Sequence, residues 1–200
     1  MWGFFVFNQI SPMFNSINLQ FLRNQFLLIS APRIAVAIFI ILQIIGMWVY
    51  PGGTIHDDST VGYSFTRNFF SDLGTYAAYN NEPNFLSMAL FIISLTLVGT
   101  TFMLYYLALP QLFKEDPLNY KLSILGTIFA IGGSIGLIGT GLTPADLVLD
   151  THIFFANNIF YCFMITALCY TIVIYRSDIL DKKYALGYGL FFVLIILYVG

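Results

Sequence analysis

The sequence predicts an all-α integral membrane protein, a polytopic helical bundle in which five spans can be counted. Three observations predict it. First, only 9% of the 200 residues are charged and 58% are hydrophobic, against about 25% charged in a soluble domain; too few charges remain to cover a water-facing surface. Second, apolar runs long enough to cross about 30 Å of hydrocarbon recur along the chain, and mean hydropathy is +0.82. Third, Lys and Arg alternate by segment in the way membrane topology demands.

The spans follow in order. Residues 1–32 are apolar but interrupted by Asn8, Gln9, Asn15, Asn18, Gln20, Arg23, Asn24 and Gln25. No early basic stretch precedes them, which argues against a signal peptide, so an interfacial, partly ordered lead-in is expected. Residues 33–200 then form a single bundle domain. The first span runs from about Arg33 to Tyr50, with Pro32 at its start, Trp48 and Tyr50 as interfacial anchors and Pro51-Gly52-Gly53 as its stop. The second runs from Asn84 to Leu109, with Asn81 or Glu82 as its cap and Pro83 in its first turn. The third spans Lys121–Leu142 and ends at Thr143-Pro144; the fourth spans Thr151–Tyr175. The fifth begins near Tyr184 and reaches Gly200, which is short for a span, so a sixth beyond the given residues is expected.

The third span is rich in glycine: Gly126, Gly132, Gly133, Gly136, Gly139 and Gly141. Small residues let helix backbones approach closely in lipid. This helix is therefore expected at the buried centre of the bundle, with homo-oligomerisation through its G-x-x-x-G as the other use. Cys162 and Cys169 lie seven apart in one run, about 10 Å along a helix, too far for a disulfide.

Seven of the eight Lys and Arg residues fall before span one, between spans two and three, or between spans four and five; Arg67 alone falls on the other side. That places the N-terminus in the cytoplasm and the 51–83 and 143–151 segments outside it. A net charge of −2 with no basic patch excludes nucleic acid as a partner.

Both histidines, His56 and His152, and six of the ten acids lie in those two outward segments. Tyr63 to Leu73 could form a short interfacial helix, with Phe65, Phe69 and Leu73 on one face and Gly74 as its stop. Ser71 and Asp72 would sit on its last turn, where the helix dipole disfavours a carboxylate and Arg67 is the expected partner of Asp72. Asp150 is placed to cap span four, with His152 in the first turn, where the dipole favours a neutral imidazole. Asp146 completes the set.

The run Asn68-Phe69-Phe70-Ser71-Asp72-Leu73-Gly74, followed by Gly139-Thr140-Gly141-Leu142-Thr143-Pro144-Ala145-Asp146 and His152, resembles the Frag/DRAM/Sfk-type multi-pass membrane proteins, and most closely their prokaryotic relatives of unknown function. The resemblance covers roughly residues 34–200. It implies a helical bundle, typically of six spans, with outward Ser-Asp and Asp/His motifs. It also implies a link, in some eukaryotic members, to lipid remodelling or distribution. The residues it carries over are Ser71, Asp72, Gly74, Asp146 and His152.

Two functions stand open on this reading. One is a protein that binds or regulates membrane lipids without catalysis. The other is a lipid-processing hydrolase or transferase with Ser71, Asp72, Asp146 and His152 converging at the outer interface, where His would act as base and a carboxylate would orient it. A metal site built from the histidines and acids is undetermined, because the two histidines come from distant loops and no H-E-x-x-H or G-x-S-x-G motif is present. No charged residue interrupts the apolar runs, which argues against a transporter.

Overall fold

A computed structural model describes residues 26–199. A π-helical turn, Phe26–Ser30, leads into α1 (Ala31–Val49). A two-stranded antiparallel hairpin follows, β1 (Gly52–Thr54) and β2 (Asp57–Val61), then a 3-10 turn at Phe70–Gly74. The remaining helices are α2 (Phe85–Ala108), α3 (Pro117–Leu142), α4 (Leu149–Arg176) and α5 (Lys182–Val199), with a second 3-10 turn, Leu109–Phe113, closing α2 at Pro110. All five helices are long and apolar enough to cross a membrane, α1 counted together with its leading turn. Most of the expected lead-in, residues 1–32, lies outside the described residues; its last seven are helical and extend the first span to Phe26.

Each helix packs against the next in sequence, and α3 lies between α2 and α4. In the apolar window of α3, 44% of residues are buried, against 11% for α1 and for α5, so the glycine-rich span is the centre of the bundle. The glycines explain why. A Cβ at Gly136 would stand 3.0 Å from the Phe155 carbonyl oxygen of α4, and one at Gly133 would stand 2.9 Å from the Phe163 ring. A Cβ at Gly139 would fall inside the Phe155 ring. On the other side, a Cβ at Gly99 of α2 would lie 2.8 Å from the Ser134 carbonyl oxygen of α3. The stripe is thus covered within one chain. Cys162 and Cys169 are both free thiols.

Two apolar clusters divide the core. One gathers Tyr106, Phe113, Ala130, Phe163, Tyr170, Val173 and Ile174; Tyr170 gives its hydroxyl to the Ser123 carbonyl and meets the Thr127 hydroxyl at 2.9 Å. The other lies beneath the hairpin end and gathers Tyr50, Leu73, Ala78, Phe91 and Leu95. Beside it, the mid-span amide of α1 finds one partner across the interface: Gln43 Nε2 donates to Ser94 Oγ at 2.6 Å, and its buried Oε1 has no partner among the described residues.

Several helix ends differ from expectation. Asp150 does not cap α4: the cap position is Val148, without a side-chain bond, and Asp150 sits exposed in the first turn. Neither Asn81 nor Glu82 caps α2, which starts from Asn84. Asn81 instead adopts a left-handed backbone at φ 65°. Asp116 is the true side-chain cap, accepting from the N–H groups of Leu118 and Asn119 at the head of α3; this holds its carboxyl below the usual range. Arg176, at the end of α4, reaches the same corner through Asn119 Oδ1 at 3.2 Å.

The close approach of α2 and α3 gives a paired expectation. Gly99→Ala sets a methyl against a carbonyl that cannot move aside and is expected to cost about 1–3 kcal/mol. Gly187→Ala, where a Cβ meets nothing within 4 Å, is expected to be neutral or stabilising by up to about 1 kcal/mol through helix propensity. Thermal unfolding of both variants in detergent, followed by circular dichroism, checks the contrast.

Candidate functional site

The interval between α1 and α2 is a folded cap rather than a polar loop carrying one helix. Gly52 and Gly53 have φ of 141° and 80°, a region closed to other residues in practice; they end α1 and turn the chain into the hairpin. The Thr54 hydroxyl accepts from the N–H groups of His56 and Asp57 and so closes the hairpin turn. Asp57 takes Ser59 N–H, Ser59 Oγ and Thr60 Oγ1, which lowers its carboxyl below the ordinary value.

The helix expected over Tyr63–Leu73 does not form. Asn68 is the reason, since its side chain offers the backbone other partners. Its Oδ1 accepts from Ser64 N–H, and its Nδ2 donates to the Gly53 carbonyl and to Asp72 Oδ2 at 3.0 Å. Phe69 is extended, and only the 3-10 turn from Phe70 to Gly74 is helical. Phe65 and Phe69 are 80% and 60% exposed while Leu73 is fully buried, so the three do not share a face.

Asp72 therefore sits at the beginning of a turn rather than at its end. It is buried and accepts from the Phe69 N–H at 2.9 Å through the same Oδ2 that holds Asn68. The expected ion pair with Arg67 is not among the described salt bridges. Burial pushes the Asp72 carboxyl above its ordinary value, and the Asn68 and Phe69 hydrogen bonds pull partly the other way. The phenols around it rise as well. Burial carries Tyr50 up to about 12, opposed by the Tyr79 backbone and reinforced by Asp72. Tyr63 and Tyr79 rise by burial and then by the same carboxylate.

The turn is held from below by Asn84, which is 1% exposed. Its Nδ2 lies 3.3, 3.2 and 3.0 Å from the carbonyl oxygens of Asp72, Leu73 and Thr75. Ser87, one helical turn further along α2, gives its hydroxyl to the Leu73 carbonyl at 3.0 Å. Gly74 completes the fit, because a Cβ there would overlap the Phe91 ring. The sequence reading passed over Asn84 and Ser87. Their signal was a pair of polar residues at i and i+3 heading an otherwise apolar run, which puts both on one helix face.

The two segments expected to share a membrane face do meet. Asp146 Oδ1 and Oδ2 accept from the N–H groups of Tyr76 and Ala77, at 2.9 and 3.0 Å. His152 is buried, and its Nδ1 lies 2.6 Å from the Thr143 carbonyl. A carbonyl only accepts, so Nδ1 carries the proton. This bond satisfies a carbonyl at the end of α3, one of the terminal groups that a helix leaves unpaired.

Among the described residues, no hydrogen bond joins Ser71, Asp72, Asp146 and His152 to one another. Asp146 binds backbone rather than His152, and Ser71, half-buried, makes no hydrogen bond to His152. His56 is exposed at the hairpin turn. Among the described residues, no group of three His, Cys, Asp or Glu side chains is placed to hold a metal ion.

A family model described as the Frag1/DRAM/Sfk1/Cwh43P N-terminal domain matches residues 25–200. The chain belongs to that family. Neither the curated proteins nor the solved structures include a match to it.

Two expectations follow from the cap. Asn84→Ala leaves the Thr75 carbonyl without its donor, at about 1–3 kcal/mol, while the Asp72 and Leu73 carbonyls keep Thr75 and Ser87; it should lower stability and speed hydrogen exchange in a peptide covering 68–76, read by mass spectrometry. Asp72 carries a sign. Its folded pKa is raised, so the folded chain holds the proton more tightly than the unfolded one. That contribution is complete below the ordinary 3.8 and is lost as pH climbs through the raised value. Asp72→Asn keeps an oxygen for both donors and removes the charge. Its stability relative to the parent is expected to increase from pH 4 to pH 7 in thermal unfolding, whereas Asp72→Ala is destabilised throughout.

Proposed function

We propose that this member of the Frag1/DRAM family binds or regulates membrane lipids without catalysis, at the end of the bundle closed by the cap. The observation that supports this reading is the use to which the polar side chains are put. Asp146 ties one loop to the other, Asp72 ties the turn to Asn68 and Phe69, and His152 ties α4 to the end of α3. Each bond serves the backbone or a neighbouring amide. A hydrolase needs a nucleophile within reach of a base, and among the described residues Ser71 makes no such bond.

The capped end faces away from the cytoplasm in this reading, because seven of eight basic residues belong to the opposite side. The glycines of α3 meet α2 and α4 within one chain, so self-association would use exposed apolar side chains of the helices rather than that stripe.

The alternative, a lipid-processing hydrolase or transferase, draws on the Ser71 hydroxyl, which is half-buried beside Asp72 and has no hydrogen bond among the described residues. Native mass spectrometry separates the two. The parent protein is expected to retain lipid, and Ser71→Ala to retain it equally with no change in lipid composition. Accumulation of an unprocessed lipid on Ser71→Ala would favour the enzyme. For orientation, cysteines placed at Thr60 and Leu147 are both expected to react with an impermeant maleimide added to intact cells; reaction at one position alone overturns the shared face.

A further inference from the structure

The cap carries an apolar rim that its own hydrogen bonds do not explain. Val61 is 94% exposed and Phe65 80%, with Phe69 and Phe70 also exposed. In a water-filled loop such a patch would be unusual. The spans that flank it also end in exposed rings: Trp48 at the end of α1 is 86% exposed, and Phe85 at the head of α2 is exposed as well. The polar residues of the hairpin turn lie elsewhere, with His56, Asp57, Asp58 and Ser59 exposed there, while Thr66 and Arg67 are exposed between Phe65 and Phe69, where a long Arg stem can lie along apolar surface and carry its charge to the headgroups.

Ring contacts give the depth. The Phe70 ring centroid lies 6.1 Å from that of Phe39 and 5.6 Å from that of Phe91. Phe39 is ten residues from the last residue of α1, about 15 Å along the helix axis. Phe91 is six residues into α2, about 9 Å. The Phe70 side chain therefore reaches down beside the two spans, at the end of the segment. Irregular backbone survives at such depth only where its polar groups are satisfied by protein. Within 61–70 the Ser64 carbonyl accepts from the Arg67 and Asn68 N–H groups, Asn68 Oδ1 accepts from the Ser64 N–H, Asp72 Oδ2 accepts from the Phe69 N–H, and the Gly62 N–H donates to the Pro51 carbonyl.

We infer that residues 61–70 are embedded in the leaflet at the capped end, with Val61, Phe65 and Phe69 in contact with lipid at the headgroup–acyl boundary and the hairpin turn at 56–59 in water. The occupant of this surface is the bilayer in which the protein sits. Amphipathic segments adopt such a position when apolar residues collect on one side and charges on the other. The embedding goes beyond the proposed function and does not require recognition of any headgroup.

The test uses tryptophan quenching by phosphatidylcholine brominated on its acyl chains. In a Trp2→Phe background, Trp48 alone sets the lipid-facing reference. Phe65→Trp and Phe69→Trp, each with Trp48→Phe added, are expected to be quenched at least half as strongly as that reference. Asp58→Trp in the same background is expected to be quenched less than a quarter as strongly. Quenching of Phe65→Trp and Phe69→Trp no greater than that of Asp58→Trp overturns the inference. Should a variant fail to fold, the unsubstituted protein is photolabelled in vesicles of phosphatidylcholine carrying an acyl-chain diazirine. Label within 61–70 supports the embedding, and label confined to the five helices overturns it. Quenching with no lipid retained in native mass spectrometry would keep this inference while removing the proposed function.

Discussion

The architecture of the capped end depends on one amide. A 3-10 turn beside membrane-spanning helices leaves carbonyls that neither water nor a regular helix can satisfy, and each costs free energy if left bare. Asn84 approaches three of them with a single NH2 group, and Ser87 takes a second lone pair of Leu73. Once those carbonyls are held, Leu73 can be fully buried against Phe91, and Gly74 must lack a side chain because the ring occupies its place. Asp72 is then fixed at the start of the turn, where its carboxylate meets N–H donors rather than the negative end of a helix. The Asn84 Oδ1 atom is left without a partner among the described residues, which shows how far the geometry favours the donor side.

The second constraint is the narrow centre of the bundle. Hydrophobicity does not drive helices together in lipid, so close packing must. Glycines at 126, 133, 136 and 139 receive Tyr170, Phe163, Ile159 and Phe155 of α4, while Gly99 lets α2 approach the α3 backbone. Large rings thus sit where small residues make room. The arrangement places the end of α3 beside the start of α4, and His152 and Asp146 then fasten that corner to its own helix and to the cap.

The family placement and the geometry bear on different questions. Membership in the Frag1/DRAM group over residues 25–200 establishes a multi-pass membrane protein. Four of the five motif residues that carried the resemblance make structural contacts: Gly74 against the Phe91 ring, Asp72 within its turn, Asp146 between the loops and His152 at the end of a helix, while Ser71 makes no hydrogen bond among the described residues. Short polar motifs in membrane proteins attract catalytic readings because polar groups are scarce there. The same scarcity makes them the means of closing irregular backbone.

The sequence by itself determined the class, the five spans, the central position of the glycine-rich helix and the meeting of the two polar segments. Those follow from local quantities: the length of apolar runs, the size of side chains and the alternation of Lys and Arg. Only the tertiary structure decided the cap. The amphipathic spacing of Phe65, Phe69 and Leu73 pointed to a helix, but Asn68 reaching Gly53 across fifteen residues broke that pattern, and no local window contains such a contact. The roles of Asn84 and Asp146 were hidden for the same reason. Their partners are backbone groups, which every residue type carries, so the sequence offers no letter that marks where such a bond will land.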